Sequence, residues 1–217
     1  MSVLAGMKSQ LVIDASIEEV RRESEVDLRR LYLYGAIEPL DEDVTGPYCS
    51  VSTTSRLVEV IMDINRKDAA DDIPPEKRTP IRLYINSPGG DITEGFALVS
   101  AIELSKTPVW TINIGQWCSM AFLIGISGHK RFSMPNMTFL MHEGMAFAGG
   151  AASKMQDRAK FDERFKDEVI KQHILRHSKM DSAVYDASER VELYMLPEDA
   201  LKYGFIDEIV TDIDVIF

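Results

Sequence analysis

Apolar and polar positions along the chain change period several times, and each change marks an element. Leu31-Tyr32-Leu33-Tyr34 is a short β-rich run closed by Gly35. Between Thr53 and Asn65, Leu57, Val58, Ile61, Met62 and Ile64 fall at helical spacing, which predicts a helix with one buried face. The charged, proline-bearing stretch from Arg66 to Pro80 reads as a surface loop. From Ile81 the pattern alternates regularly: strand 81–86, helix 92–105, strand 109–114, a tight turn at Gly115, and helix 119–126. Residues 136–144 read as a further strand ending in His142. Strands separated by helices pair in parallel through right-handed crossovers, so the class is α/β. A lone Gly95 inside the second helix of this series predicts close packing there, at some cost in helix propensity. After the small, glycine-rich stretch 144–152, a long charged helix is predicted over about 153–177, with Met155, Ala159, Phe165 and Val169 near one face.

Composition narrows the function classes. A chain of 217 residues suits one domain with a sizeable core and room for a short arm, here 1–25, ahead of a domain over 26–217. The net charge of −11 argues against a nucleic-acid surface, which needs a basic patch. Cys49 and Cys118 make neither a disulfide framework nor a metal cluster, and Cys118 reads as a core thiol. No segment is long and apolar enough to span a membrane, and the N-terminus lacks the order of a secretory signal, so a reducing, cytoplasmic location is expected, an organelle matrix or stroma being the alternative. The absence of a Gly-x-x-x-x-Gly-Lys loop means that ATP hydrolysis is not expected of this chain.

Three stretches carry candidate chemistry. Ser119 stands where a buried strand gives way to a helix, a position that suits either a helix cap or a nucleophile. Asn86-Ser87-Pro88-Gly89-Gly90 ends another strand, and paired glycines there leave backbone N–H groups bare enough to hold an oxyanion. His142 supplies an imidazole. A hydroxyl, an imidazole and a backbone anion site are the parts of an acyl-transfer enzyme.

These stretches, with Gly115-Gln116 and Ser119-Met120, Arg131-Phe132 and Pro135-Asn136, Met141-His142, and the run from Glu198 to Asp207, occur in the order found in the Clp protease proteolytic subunit, ClpP, which the chain resembles over roughly Leu31 to Ile209. The resemblance implies a ClpP/crotonase-like superhelix of ββα units, in which the long helix is a projecting handle. It implies Ser119 as nucleophile, His142 as general base, and the N–H groups of Gly90 and Met120 as the oxyanion hole. The position usually held by the triad aspartate falls on Glu192, with Asp186 and Glu189 as nearby alternatives. It further implies stacked heptameric rings of the same chain, unfolded proteins or peptides as substrates, and an AAA+ unfoldase that would use ATP, this chain needing no cofactor of its own. Residues 1–25 would be a propeptide or axial segment, although they do not reproduce the family's usual N-terminal sequence.

Two other classes compete. Glu192 and the atypical N-terminus suit a weakly active structural ring subunit, whereas the fold relation to crotonases suits an acyl-CoA enzyme, which would need acids in place of the Ser/His pair. His173 and His177 have metal-ligand spacing but no third ligand in the sequence, so solvated helix-end histidines and no metal site are expected. His129 lies in a turn and is not expected to be the base.

Overall fold

The computed structural model of the chain describes residues 29–38, 53–144, 151–188 and 191–217. The arm 1–25, Cys49, Glu189 and most of the glycine-rich stretch therefore lie outside the described residues. β1 (Arg30–Tyr34), β2 (Ile81–Ser87), β3 (Val109–Cys118), β4 (Lys130–Ser133) and β7 (Glu208–Ile209) lie side by side in that order, every pair parallel. β5 (Thr138–Met141) runs parallel to the far half of β3, and β6 (Leu193–Met195) antiparallel to β5. The architecture is mixed α/β, and β2 is buried on both faces as a central parallel strand should be.

β3 corrects the expected turn at Gly115. Ile85 of β2 pairs with Asn113 but Ser87 pairs with Trp117, so β3 bulges between these points and continues to Cys118. The bulge splits the strand's allegiance. Its first half pairs with β4, and its second half, Gln116 to Cys118, pairs with Thr138 to Leu140 of β5. Asn113 holds the junction by donating to the Thr138 carbonyl at 3.0 Å and accepting the Gly115 N–H at 3.0 Å. A side chain at 115 has no room, since a Cβ there would fall 2.3 Å from Asn86 Oδ1.

The first helix is longer than its pattern suggests. α1 (Thr53–Ala70) runs through residues expected in a loop. Leu57, Ile61 and Ile64 define its buried stripe, and the next position on that stripe is Asp68, only 1% exposed. A charge at a core position disguised the last turn. Asp68 accepts from Arg29 Nη2 at 2.5 Å and from Thr107 Oγ1 at 2.7 Å. Burial raises its pKa, but the bonds from Arg29 and Thr107 and the charges of Arg29 and Arg78 outweigh it, leaving the pKa below the ordinary carboxylate value. Removing one partner of a buried pair costs about 3 kcal/mol, so Asp68→Ala is expected to lose about that much near neutral pH. A depressed pKa means the contribution is present above the unfolded-state value and lost as pH falls through the folded one. Urea titrations at pH 7 and in the acid range should show the variant's deficit shrinking on acidification, and a pH-independent deficit would refute the ion pair as its source.

α2 (Ile92–Leu104) is capped by Asp91, whose carboxylate accepts the Glu94 N–H at 2.9 Å. It crosses α3 (Met120–Ile126), every residue of which is buried. Gly95 is the contact point: a Cβ there would lie 2.2 Å from Met120 Cγ, as the lone helical glycine predicts. Farther on, α4 (Ala152–Phe165), a π-helical turn (Lys166–Lys171) and α5 (Gln172–Arg176) form one helical run. Its halves differ in burial. α4 has no buried residue and exposes Met155 and Phe161, whereas Phe165 packs edge-on against Phe96 at 5.5 Å and Ile174 is in the core.

α6 (Ser182–Ser188) and α7 (Pro197–Tyr203) complete the described α-helices, and no described helix is long and apolar enough to cross a membrane. Gly204 ends α7 at φ 73°, a left-handed stop suited to glycine. Arg131 at the start of β4 locks this end: Nη2 and Nε bond Asp207 at 2.6 and 3.1 Å, while Nη1 donates to the carbonyls of His177 and Gly204 at 2.5 and 2.9 Å.

Candidate active site

The candidate nucleophile sits on a strained elbow. Ser119 links β3 to α3 with φ 55° and ψ −125°, a region that residues other than glycine occupy only under constraint. The constraint is visible: its N–H donates to the Leu140 carbonyl at 2.9 Å, and its own carbonyl accepts the Phe122 N–H at 2.9 Å. Its hydroxyl makes no capping bond to the helix, although the residue occupies the N-cap position. Strain of this kind at a strand-to-helix turn pushes a serine hydroxyl clear of the backbone.

The glycine turn abuts this elbow. A Cβ on Gly89, which has φ 92°, would lie 2.7 Å from Ser119 Cβ and 2.9 Å from Met120 N, so only glycine allows the two turns to touch. Gly89 spends its own N–H on Ser87 Oγ at 3.1 Å and its carbonyl on the Ile37 N–H at 2.9 Å. Gly90 follows at φ 148°, so close to Ile37 that a Cβ would fall 2.0 Å from the Ile37 oxygen. Its N–H has no hydrogen-bond partner among the described residues. Met120, as first residue of α3, also has an N–H without an intrahelical acceptor. The role of Gly89 as the contact point escaped sequence reasoning, which singled out Gly90; the signal available was the pair itself, one glycine for each close approach.

His142 follows β5 directly and lines the same clefts as Ser119. One cleft is narrow and apolar, walled by Ile92, Met141, Ile170 and Tyr185. The other is wider and more polar, bounded by the Pro88–Thr93 turn and by Arg158, Asp162 and Lys166 of the long helical run. Neither the Ser119 hydroxyl nor the His142 ring has a hydrogen-bond partner among the described residues.

Glu192 is placed by strand register. β5 and β6 pair antiparallel with Leu140 opposite Tyr194 and Met141 opposite Leu193. The paired register ends at Met141 and Leu193, and His142 and Glu192 are the residues just beyond it on the two chains, so the fold brings both to the same end of this ladder. The Glu192 carboxylate is exposed and accepts from the Tyr194 hydroxyl at 2.9 Å. That bond, and then the carboxylate's charge, raise the pKa of the Tyr194 phenol. Tyr194 was not singled out from the sequence, although Glu192 and Tyr194 are two apart in a strand and so share a face.

The competing acid is otherwise engaged. Asp186 pairs with Lys171 at 2.5 Å and with Ser182 at 3.3 Å; the Lys171 bond chiefly holds its pKa below the ordinary value. Cys118 is half-buried rather than a core thiol because β3 carries it to the site's edge, where its sulfur faces Gln116 Oε1 at 3.4 Å. Burial pushes the Cys118 pKa up, which keeps it a thiol. His129 Nδ1 accepts the Val109 N–H at 3.1 Å, a structural role. His173 overturns its expected solvation: at 2% exposed it is buried, because Phe96 and Glu103 of α2 and the Leu123 carbonyl of α3 close around it.

A parallel α/β sheet with an elbow serine, an adjoining Gly-Gly turn and a histidine in one cleft has the layout of a serine hydrolase. The sequence profile of the Clp protease family matches residues 72–212. The ATP-dependent Clp protease proteolytic subunit 2 of Tropheryma whipplei (strain Twist) is 34% identical over 139 residues, covering 63% of this chain and 77% of that protein. The chain belongs to the Clp protease family.

Proposed function

We propose that the chain is a serine endopeptidase subunit of a chambered protease, cutting unfolded proteins and peptides through an acyl-enzyme. The observation that carries this reading is the strained elbow that frees the Ser119 hydroxyl in a cleft shared with His142. His142 takes the Ser119 proton as the hydroxyl attacks a peptide carbonyl, and the N–H groups of Gly90 and Met120 receive the oxyanion. Glu192 orients His142 and stabilises its imidazolium. Collapse of the tetrahedral intermediate expels the amine with the proton from His142, and water repeats the cycle to release the acyl group.

Family membership supports assembly into rings, and the exposed apolar residues of α4, Met155 and Phe161, support a second ring as their covering partner. An AAA+ unfoldase would feed folded substrates, with ATP used there. The residues 1–25 would serve as propeptide or axial segment. A second reading, a weakly active ring subunit, draws on the unlinked hydroxyl and imidazole and on the Tyr194 bond to Glu192.

Fluorophosphonate labelling of the assembled protein tests the choice. Peptide mapping is expected to place a single adduct on Ser119, with cleavage of a fluorogenic peptide lost in step with labelling. An assembled, well-folded protein that takes no label would favour the structural subunit.

A further inference from the structure

Three metal-ligating groups that the sequence scatters over 74 positions converge at the junction of α2, α3 and α5, outside the clefts described above. His173 and His177 are one turn apart on the same face of the helical run, and the facing helix α2 supplies Glu103. Their ligand atoms all lie within 4.8 Å of one another. The third ligand that the His-x-x-x-His spacing lacks in sequence is therefore present in space.

The protonation pattern is telling. His173 Nε2 lies 3.0 Å from the Leu123 carbonyl of α3, and a carbonyl only accepts, so Nε2 carries the hydrogen. In the neutral ring Nδ1 is then a bare lone pair. Yet Nδ1 faces Glu103 Oε1 at 3.2 Å, lone pair against lone pair. Two acceptors at that separation repel unless a proton or a metal ion joins them. The same oxygen is 2.7 Å from His177 Nε2.

We infer that Glu103, His173 and His177 bind a divalent transition cation of the zinc class through a carboxylate oxygen, Nδ1 and Nε2, leaving a fourth position for water. Two imidazoles and one carboxylate are a donor set that zinc accepts, and ligand atoms about 3.4 Å apart, which bonds of about 2.1 Å imply at a tetrahedral ion, are within small side-chain adjustments of those found. The Leu123 carbonyl is the outer partner such a site needs, since a ligating histidine ordinarily gives its other N–H to a carbonyl or carboxylate. The site opens outward: the side chains of His177 and Glu103 are 24% and 31% exposed, against 2% for His173. Arg176 is the cation nearest the carboxylate, 4.0 Å away, and its mostly exposed side chain turns to solvent when the ion enters. An ion here ties α2, α3 and α5 together and so holds Ile170 and Ile174, which line the apolar cleft, against the helix that follows Ser119.

Titration of the chelator-treated, untagged full chain with Zn²⁺ and Co²⁺ tests the site. One Zn²⁺ per chain is expected by calorimetry, Co²⁺ should give the intense visible bands of tetrahedral coordination that Zn²⁺ then bleaches, and saturating Zn²⁺ should raise Tm by about 5 °C. Glu103→Gln and His177→Gln alter partly exposed side chains and preserve shape; with unchanged circular dichroism, each removes a ligand and should weaken binding by more than about 100-fold, the upper end for loss of a mere outer partner. His142→Ala should bind as tightly as wild type. The inference fails if no stoichiometric binding occurs, if binding survives Glu103→Gln and His177→Gln undiminished, or if His142→Ala alone abolishes it.

Discussion

Ser119→Ala is expected to reduce kcat/KM for a fluorogenic peptide by at least about 10³-fold while leaving the fold intact, because loss of the proposed nucleophile would leave only the proposed anion site and substrate binding to act. Fold preservation follows from how the elbow is built. Its geometry is held by the Ser119 N–H to Leu140 and the Ser119 carbonyl to Phe122, both backbone bonds that alanine keeps. The hydroxyl makes no cap bond, so its removal strands no partner. A companion variant separates chemistry from strain. Ser119→Gly loses the same activity but relieves φ 55°, and is expected to be more stable than Ser119→Ala by about 1 kcal/mol. Peptide kinetics and thermal melts on the two proteins together decide the matter. Activity of Ser119→Ala within tenfold of wild type would assign the nucleophile elsewhere, and Cys118, with its raised pKa, is a poor substitute.

Most of the scaffold behind that elbow was legible because it follows hydrophobic period. Strands β2 and β3, helix α2 and the parallel pairing all follow from short apolar runs separated by amphipathic ones. The misreadings have a common physical origin, namely polar residues whose partners are remote in sequence. Asp68 looked like loop because Arg29 and Thr107, which make its burial tolerable, are each 39 positions away. Gly115 looked like a turn because the Asn86 side chain that needs its space belongs to the neighbouring strand. His173 looked solvated because Leu123 and Glu103 reach it from other helices. Arg131 and Asp207 show the reverse case: as parts of separate motifs they drew notice before their mutual bonds, across 76 positions, gave a reason. Of the candidate site, Ser119 and His142 were readable as residue types at element ends, whereas contact between the glycine turn and the elbow is a property of tertiary packing.

The carboxylate is where the site's chemistry is most open to test. Glu192→Gln is expected to lower kcat by about 10³- to 10⁴-fold, since an amide neither stabilises the imidazolium nor enforces the tautomer that an acid selects. The β5–β6 pairing next to both residues is unaffected by that change, so KM should move little. Tyr194→Phe probes the same carboxylate from its other side. The phenol bonds Oε2, Oε1 has no hydrogen-bond partner among the described residues, and an ionised carboxylate has lone pairs enough for both Tyr194 and His142. In the proposed mechanism Tyr194 acts only by positioning Glu192, so its loss should cost only a few-fold in kcat. If Tyr194→Phe instead raises activity tenfold or more, the phenol is a latch that withholds Glu192 from His142. If Glu192→Gln retains wild-type kcat, the triad acid is not Glu192; Asp186→Asn, which breaks a pair with Lys171, is expected to leave kcat unchanged in either case.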